Sequence, residues 1–75
     1  MRSLSISRHT AAMDSDAAEL SSITTVVSDL AQRVAAVADR RGVDPDDPIV
    51  ARLHVIERSL ITAQRRLRDV ARVLG

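Results

Sequence analysis

Apolar residues recur along two long segments of the chain with the spacing of an α-helix. In the first segment they alternate at steps of three and four from Leu20 to Val37, and in the second the same alternation runs from Ile49 to Leu74. Such a pattern places its members on one narrow stripe of a helix. The positions of the two stripes that we expect to form an oligomer or partner interface are Leu20, Ile23, Val27, Leu30, Val34, Ile49, Leu53, Ile56, Leu60, Leu67 and Val70.

The stretch RRGVDPDDP, residues 40–48, separates the two helical patterns and predicts a sharp turn. Gly42 is the residue type that favours the left-handed conformation after a helix, and Val43 is expected to pack back against the helix end. Asp44 or Asp47, each followed directly by proline, is expected to cap the second helix. Every unusual residue here thus has a predicted backbone role.

The predicted fold is an all-α antiparallel hairpin, with a helix over 16–41, a turn over 42–47 and a helix over 48–74. Asp16, followed three residues later by Glu19, is typical of a capping box at the start of a helix. Residues 1–15 are expected to form a flexible, basic, serine-rich tail, and Met13 is an alternative native start to Met1. A short connection makes the two helices antiparallel neighbours.

Size and composition indicate that one hairpin is not the whole assembly. The chain has 75 residues, no aromatic residue and no cysteine, and a domain this small rarely buries enough apolar surface to offset its chain entropy. Two helices that share one contact leave half of each stripe facing water. We therefore expect a four-helix bundle, completed by a second copy of the chain or by helices of another protein.

The charge is polarised along the chain. Residues 14–47 carry a net charge of −5 and residues 48–75 a net charge of +4, although the whole chain has a net charge of only +1. An antiparallel hairpin brings the acidic start of the first helix beside the arginine-rich end of the second. The charge pattern therefore favours the antiparallel arrangement independently of the turn length.

A second set of residues, the arginine stripe, lies opposite the apolar stripe of the second helix. Its members, at helical spacing, are His54, Arg58, Ile61, Arg65, Arg68 and Arg72. Such a row can bind an acidic protein surface or a phosphate backbone. The simpler interpretation, which we favour, is a solvated face on which Arg65 pairs with Asp69 one turn later. Because lysine and aromatic residues are missing, nucleic acid is the less favoured partner.

No pattern typical of catalysis, a metal site or a cofactor site occurs in the sequence. Asp44, Asp46 and Asp47 are carboxylates, but a calcium-binding loop would have glycine and glutamate where this chain has Ile49 and Val55. His54 has no second histidine at ligand spacing. We expect no cofactor, no metal and no small-molecule substrate.

The expected function is that of a small, non-enzymatic protein-protein interaction module in the cytoplasm, without a transmembrane segment. It is expected either to self-associate or to act as an accessory subunit that docks on a larger protein. The alternative is a nucleic-acid-binding adaptor or regulator that uses the arginine stripe.

Overall fold

The computed structural model describes the backbone of residues 2–75 and the side chains of residues 15–75. The chain forms two helices, α1 (Arg2–Arg41) and α2 (Pro48–Leu74), joined by a short turn. The helices pack against each other in antiparallel fashion, so that Gly75 after α2 lies beside Ala17 of α1. No β-strand occurs among residues 2–75. The prediction of an all-α pair of packed helices is confirmed.

The amino end of α1 lies ahead of the predicted helix start. Because α1 continues on the amino-terminal side of Asp16, this residue is inside the helix, and the predicted capping box with Glu19 is wrong. No glycine or proline lies between Arg2 and Asp16 to interrupt a helix. The tail predicted for residues 1–15 falls, apart from Ser15, outside the residues whose side chains are described, and it stays a prediction.

The carboxyl end of α1 is closed without a left-handed residue. The Gly42 N–H donates to the Ala38 carbonyl at 2.8 Å, and no glycine among the described residues has a positive φ. The Asp44 N–H then donates to the Arg41 carbonyl at 3.1 Å. Val43 is 87% exposed, so the predicted glycine cap and its apolar contact are both wrong. These two hydrogen bonds satisfy the Ala38 and Arg41 carbonyls at the helix end.

The amino end of α2 is capped by Asp47. Its backbone is extended, with φ −70° and ψ 112°, and its carboxylate accepts the Ile49 N–H at 2.9 Å. Pro48 occupies the start of the helix, where its missing N–H leaves no hydrogen bond unmade. Arg41 donates to the other Asp47 oxygen at 2.8 Å. One carboxylate therefore ties the end of α1 to the start of α2.

The buried contact between α1 and α2 is made of small side chains. Ala31 is 5% exposed, Ala38 is 2% exposed and Thr24 is buried on the same line of α1, seven residues apart from one another along the chain. Ala71 is the buried residue of α2. The Thr24 hydroxyl donates to the Leu20 carbonyl at 2.7 Å, so it is buried without a partner from α2. Small residues at the contact line allow the two backbones to approach closely.

Candidate protein interface

The apolar stripes lie beside the buried contact line rather than on it. Seven of the predicted interface residues are half-buried, and the other four are exposed. The half-buried ones are Leu20, Val27, Val34, Ile49, Leu53, Leu60 and Leu67, and the exposed ones are Ile23, Leu30, Ile56 and Val70. The exposed fractions of the latter four run from 38% for Ile23 to 49% for Val70. The packing of α1 on α2 thus leaves large apolar side chains in contact with water.

Both helices present these residues on the same side of the hairpin. Leu20 of α1 lines one open depression together with Ala63, Leu67 and Val70 of α2. Residues that lie seven apart project in nearly the same direction from a helix, so the rest of each stripe continues the surface along the hairpin. We call the surface formed by the predicted interface residues the apolar face. It runs the length of the packed segment.

The opposite side of the hairpin is polar. A shallow groove between the helices is lined there by Ser28 and Gln32 of α1 and by Ile61, Arg65 and Arg68 of α2. Its continuation toward the open end of the hairpin is lined by hydroxyl, amide and guanidinium groups, one carboxylate and the Ala71 methyl. The residues are Ser21, Thr24, Thr25, Ser28, Asp29, Gln32, Gln64, Arg68, Ala71 and Arg72. The two sides of the hairpin therefore differ sharply in chemistry.

The structure brings together only part of the arginine stripe. Ile61, Arg65, Arg68 and Arg72 line the polar groove, whereas Arg58 lines the depression of the apolar face. His54 lies near the turn, with its Nδ1 3.5 Å from a carboxylate oxygen of the neighbouring Glu57. The stripe is thus divided between two surfaces.

The ion pairs of α2 differ from the predicted one. Asp69 pairs with Arg72 rather than with Arg65. Among the side chains of residues 15–75, Arg58, Arg65 and Arg68 make no ion pair. Three guanidinium groups of the arginine stripe are therefore available to an anionic partner, although exposed cations on a helix are common.

The apolar pattern of the sequence did not identify the residues that form the buried contact between α1 and α2. Thr24, Ala31 and Ala38 recur at intervals of seven, and on α2 the half-buried Val50, Glu57 and Gln64 lead at the same interval to Ala71. A search for small residues at heptad spacing would have found the α1 line. The α2 line contains one carboxylate and one amide, so hydrophobicity alone does not reveal it.

The turn contains the carboxyl group whose titration is perturbed. The pKa of Asp47 is lowered from its usual value of 3.8, first because the Ile49 N–H donates to the carboxylate and second because the Arg41 side chain donates to it. Both contacts stabilise the ionised form. The two contacts connect the end of α1 to the start of α2. Asp44 and Asp46 do not form a metal-ligand cluster with Asp47, since no three His, Asp or Glu side chains lie together as metal ligands within residues 15–75.

Neither helix, over its described residues, has the length and hydropathy needed to cross a membrane. The sequence matches no protein-family model, and no curated protein and no solved structure shows significant similarity to it.

Proposed function

We propose that the chain is a small, non-enzymatic protein-protein interaction module that assembles with other helices through its apolar face. The proposal rests on one observation, the position of the large aliphatic side chains. Small residues make the intramolecular contact, while Leu30, Ile56 and Val70 are 39%, 48% and 49% exposed. An apolar surface of this kind that is continuous over many residues is typical of a binding site.

Helical periodicity supports a helical partner. The apolar face consists of two parallel rows of side chains at three-four spacing, and the groove between such rows accepts the side chains of other helices. Completing a four-helix bundle would cover both rows at once. Covering one row only, by a single partner helix, would leave the other row in water.

Photo-crosslinking in cells tests this proposal whatever the partner is. A photoreactive amino acid is placed at Ile56 in one variant and at Ala51 in another. Both residues are exposed, but they project from different sides of α2, because five helical residues turn the direction by about 140°. We expect strong protein adducts from position 56 and weak ones from position 51.

Equal labelling at the two positions would contradict an interface on the apolar face. Circular dichroism of both purified variants is the control, since each must retain the helix content of the parent chain. Adducts with the chain itself and adducts with another protein both support the proposed function.

The three guanidinium groups of the arginine stripe that make no ion pair favour a second candidate function, the binding of an anionic partner such as nucleic acid. Arg65 and Arg68 line the polar groove without a carboxylate partner among the described side chains. Binding of this kind weakens linearly in log affinity as log salt concentration rises. The doubly substituted chain, Arg65→Glu with Arg68→Glu, would then lose nucleic-acid binding and keep its adducts from position 56.

A further inference from the structure

We infer that the apolar face is covered by a second copy of the chain, docked in the opposite direction, so that α1 lies against α1 and α2 against α2. The inference rests on the proposed function and names the partner. It follows from the size of the face, from its composition and from the placement of charge around it.

The apolar face has the size of one side of a stable interface. The 27 residues of α2 span about 40 Å at 1.5 Å per residue, and two adjacent helices are about 20 Å wide. The resulting surface is roughly 800 Å², which is the usual contribution of one partner to a specific complex. A partner that covers the whole face must itself present two parallel helices.

The chain itself presents such a surface. A twofold axis brings the same patch of two copies together, so the patch must be self-complementary. The apolar face meets this condition because its two rows consist of aliphatic residues that carry no charge. A second copy therefore covers Leu30 and Ile56, while Arg58 and Arg66, which border the depression, can keep their guanidinium groups in water.

Charge at the two ends of the hairpin sets the direction. The turn end carries four acids against three arginines, and the open end carries four arginines against three acids among the described side chains. The turn-end residues are Asp39, Arg40, Arg41, Asp44, Asp46, Asp47 and Arg52, and the open-end residues are Asp16, Glu19, Arg65, Arg66, Arg68, Asp69 and Arg72. Docking in the opposite direction places the acidic turn of each copy beside the basic open end of the other.

One pair of residues makes the direction specific. Glu19 and Arg40 are exposed and lie three heptads apart, so they project from the same edge of α1. Glu19 lies one turn from Ile23 of the apolar face. The proposed twofold axis is perpendicular to the helices and passes α1 midway between Glu19 and Arg40, close to Leu30. It brings Glu19 beside the partner subunit's Arg40, and the reciprocal pair forms by symmetry.

Docking in the same direction has the opposite consequence. A twofold axis parallel to the helices stacks α1 on α2 of the partner copy and brings the two acidic turns together. Arg40 then lies at the level of the partner subunit's Arg52, which is a contact of like charges. Docking in the opposite direction places Arg58 at the level of the partner subunit's Arg66, but the two Glu19–Arg40 pairs and the complementary hairpin ends favour it over docking in the same direction.

Light scattering coupled to size exclusion, at low and at high salt, tests the identity of the partner. We expect twice the 8.1 kDa chain mass under both conditions, because the contact is mainly apolar. Ile56→Asp should raise the dissociation constant at least ~100-fold, since the charge enters the interface twice. Ala51→Asp, the matched control, should leave it within ~3-fold because that exposed residue lies outside the face.

A folded monomer at all concentrations would overturn the second copy as the partner. Strong cross-links from position 56 to a different protein would in that case still support the proposed function. Equal loss of the dimer in both aspartate variants, with helix content retained, would place the dimer contact elsewhere and also overturn the inference.

Introduced cysteines test the direction, because the chain has no cysteine of its own. Leu30→Cys lies next to the proposed axis and should form an intermolecular disulfide under mild oxidation, since the two Cα atoms come within the roughly 6 Å that a disulfide spans. Ile23→Cys, seven residues away, should remain reduced. Absence of this disulfide in a Leu30→Cys chain that still dimerises would overturn the opposite-direction arrangement, because docking in the same direction places α1 against α2 and separates the two Leu30 positions.

Discussion

At the scale of single residues, Asp47 holds the turn together. Its carboxylate accepts the Ile49 N–H at 2.9 Å and receives a hydrogen bond from Arg41 at 2.8 Å. The first contact fixes the start of α2, and the second fixes the end of α1 relative to it. Loss of either contact would allow the helix ends to fray.

The stability of the hairpin should therefore depend on the charge of Asp47. Because its pKa is lowered from 3.8 in the folded chain, the unfolded chain binds the proton more readily. The stabilisation is complete above pH 3.8 and is lost as the pH falls through the lowered pKa. Urea unfolding followed by circular dichroism should show a decrease in unfolding free energy across this range.

Asp47→Asn should reduce that decrease, because asparagine still accepts the Ile49 N–H but cannot titrate. Asp46→Asn is the control: the Asp46 backbone N–H donates to Asp44 at 3.0 Å, and this bond does not involve the Asp46 carboxylate. It should keep the pH dependence of the parent chain. The same loss of pH dependence in both variants would contradict the role given to Asp47.

At the scale of the helices, the close contact of α1 with α2 depends on side-chain size. Ala31 and Ala38 are almost fully buried, so a larger side chain at either position has to displace neighbouring atoms. Thr24 fits the same line because its hydroxyl is satisfied by its own helix. The large residues are consequently displaced to the neighbouring positions of each helix, where they build the apolar face.

Ala38→Leu should destabilise the hairpin by about 1 to 3 kcal/mol, the usual cost of overpacking a well-packed contact. Ala36→Leu makes the same chemical change at an exposed position of α1, and it should change the unfolding free energy by no more than ~0.5 kcal/mol. Chemical denaturation of the two variants at equal concentration measures the difference. A similar effect of both substitutions would mean that Ala38 does not make a tight contact.

At the scale of the whole molecule, folding and assembly are expected to be coupled. A two-helix contact of small residues buries little apolar surface, and the larger side chains are buried only when a partner covers them. A chain of 75 residues has little stability to spare under these conditions. The folded state should therefore gain much of its stability from association.

The thermal unfolding midpoint should accordingly rise with chain concentration. A tenfold increase in chain concentration raises the unfolding free energy of a dimer by about 1.4 kcal/mol. This corresponds to a rise of the midpoint by roughly 3 to 6 °C for a complex of this size. Ile56→Asp should lower the midpoint and remove its dependence on concentration. A concentration-independent midpoint in the parent chain would indicate that the hairpin is stable alone.

The sequence by itself determined the number of helices, the extent of α2, the carboxyl end of α1 and the position of the turn between them. Unbroken three-four alternation leaves no alternative to two helices, and a chain that offers Asp47 directly before Pro48 has a well-defined helix start. These features depend on contacts within a few residues along the chain. They can be predicted because local sequence decides them.

Only the tertiary structure decided which line of each helix forms the contact. On α2 the line through Val50, Glu57, Gln64 and Ala71 and the line through Ile49, Ile56, Ala63 and Val70 have the same seven-residue period, and hydrophobicity favours the second. The first line lies against α1 because the two backbones pack closely along the small residues of α1. A close approach of two helices is a tertiary contact, and no local sequence pattern encodes it. The same choice turned the more apolar line outward and made it the candidate interface.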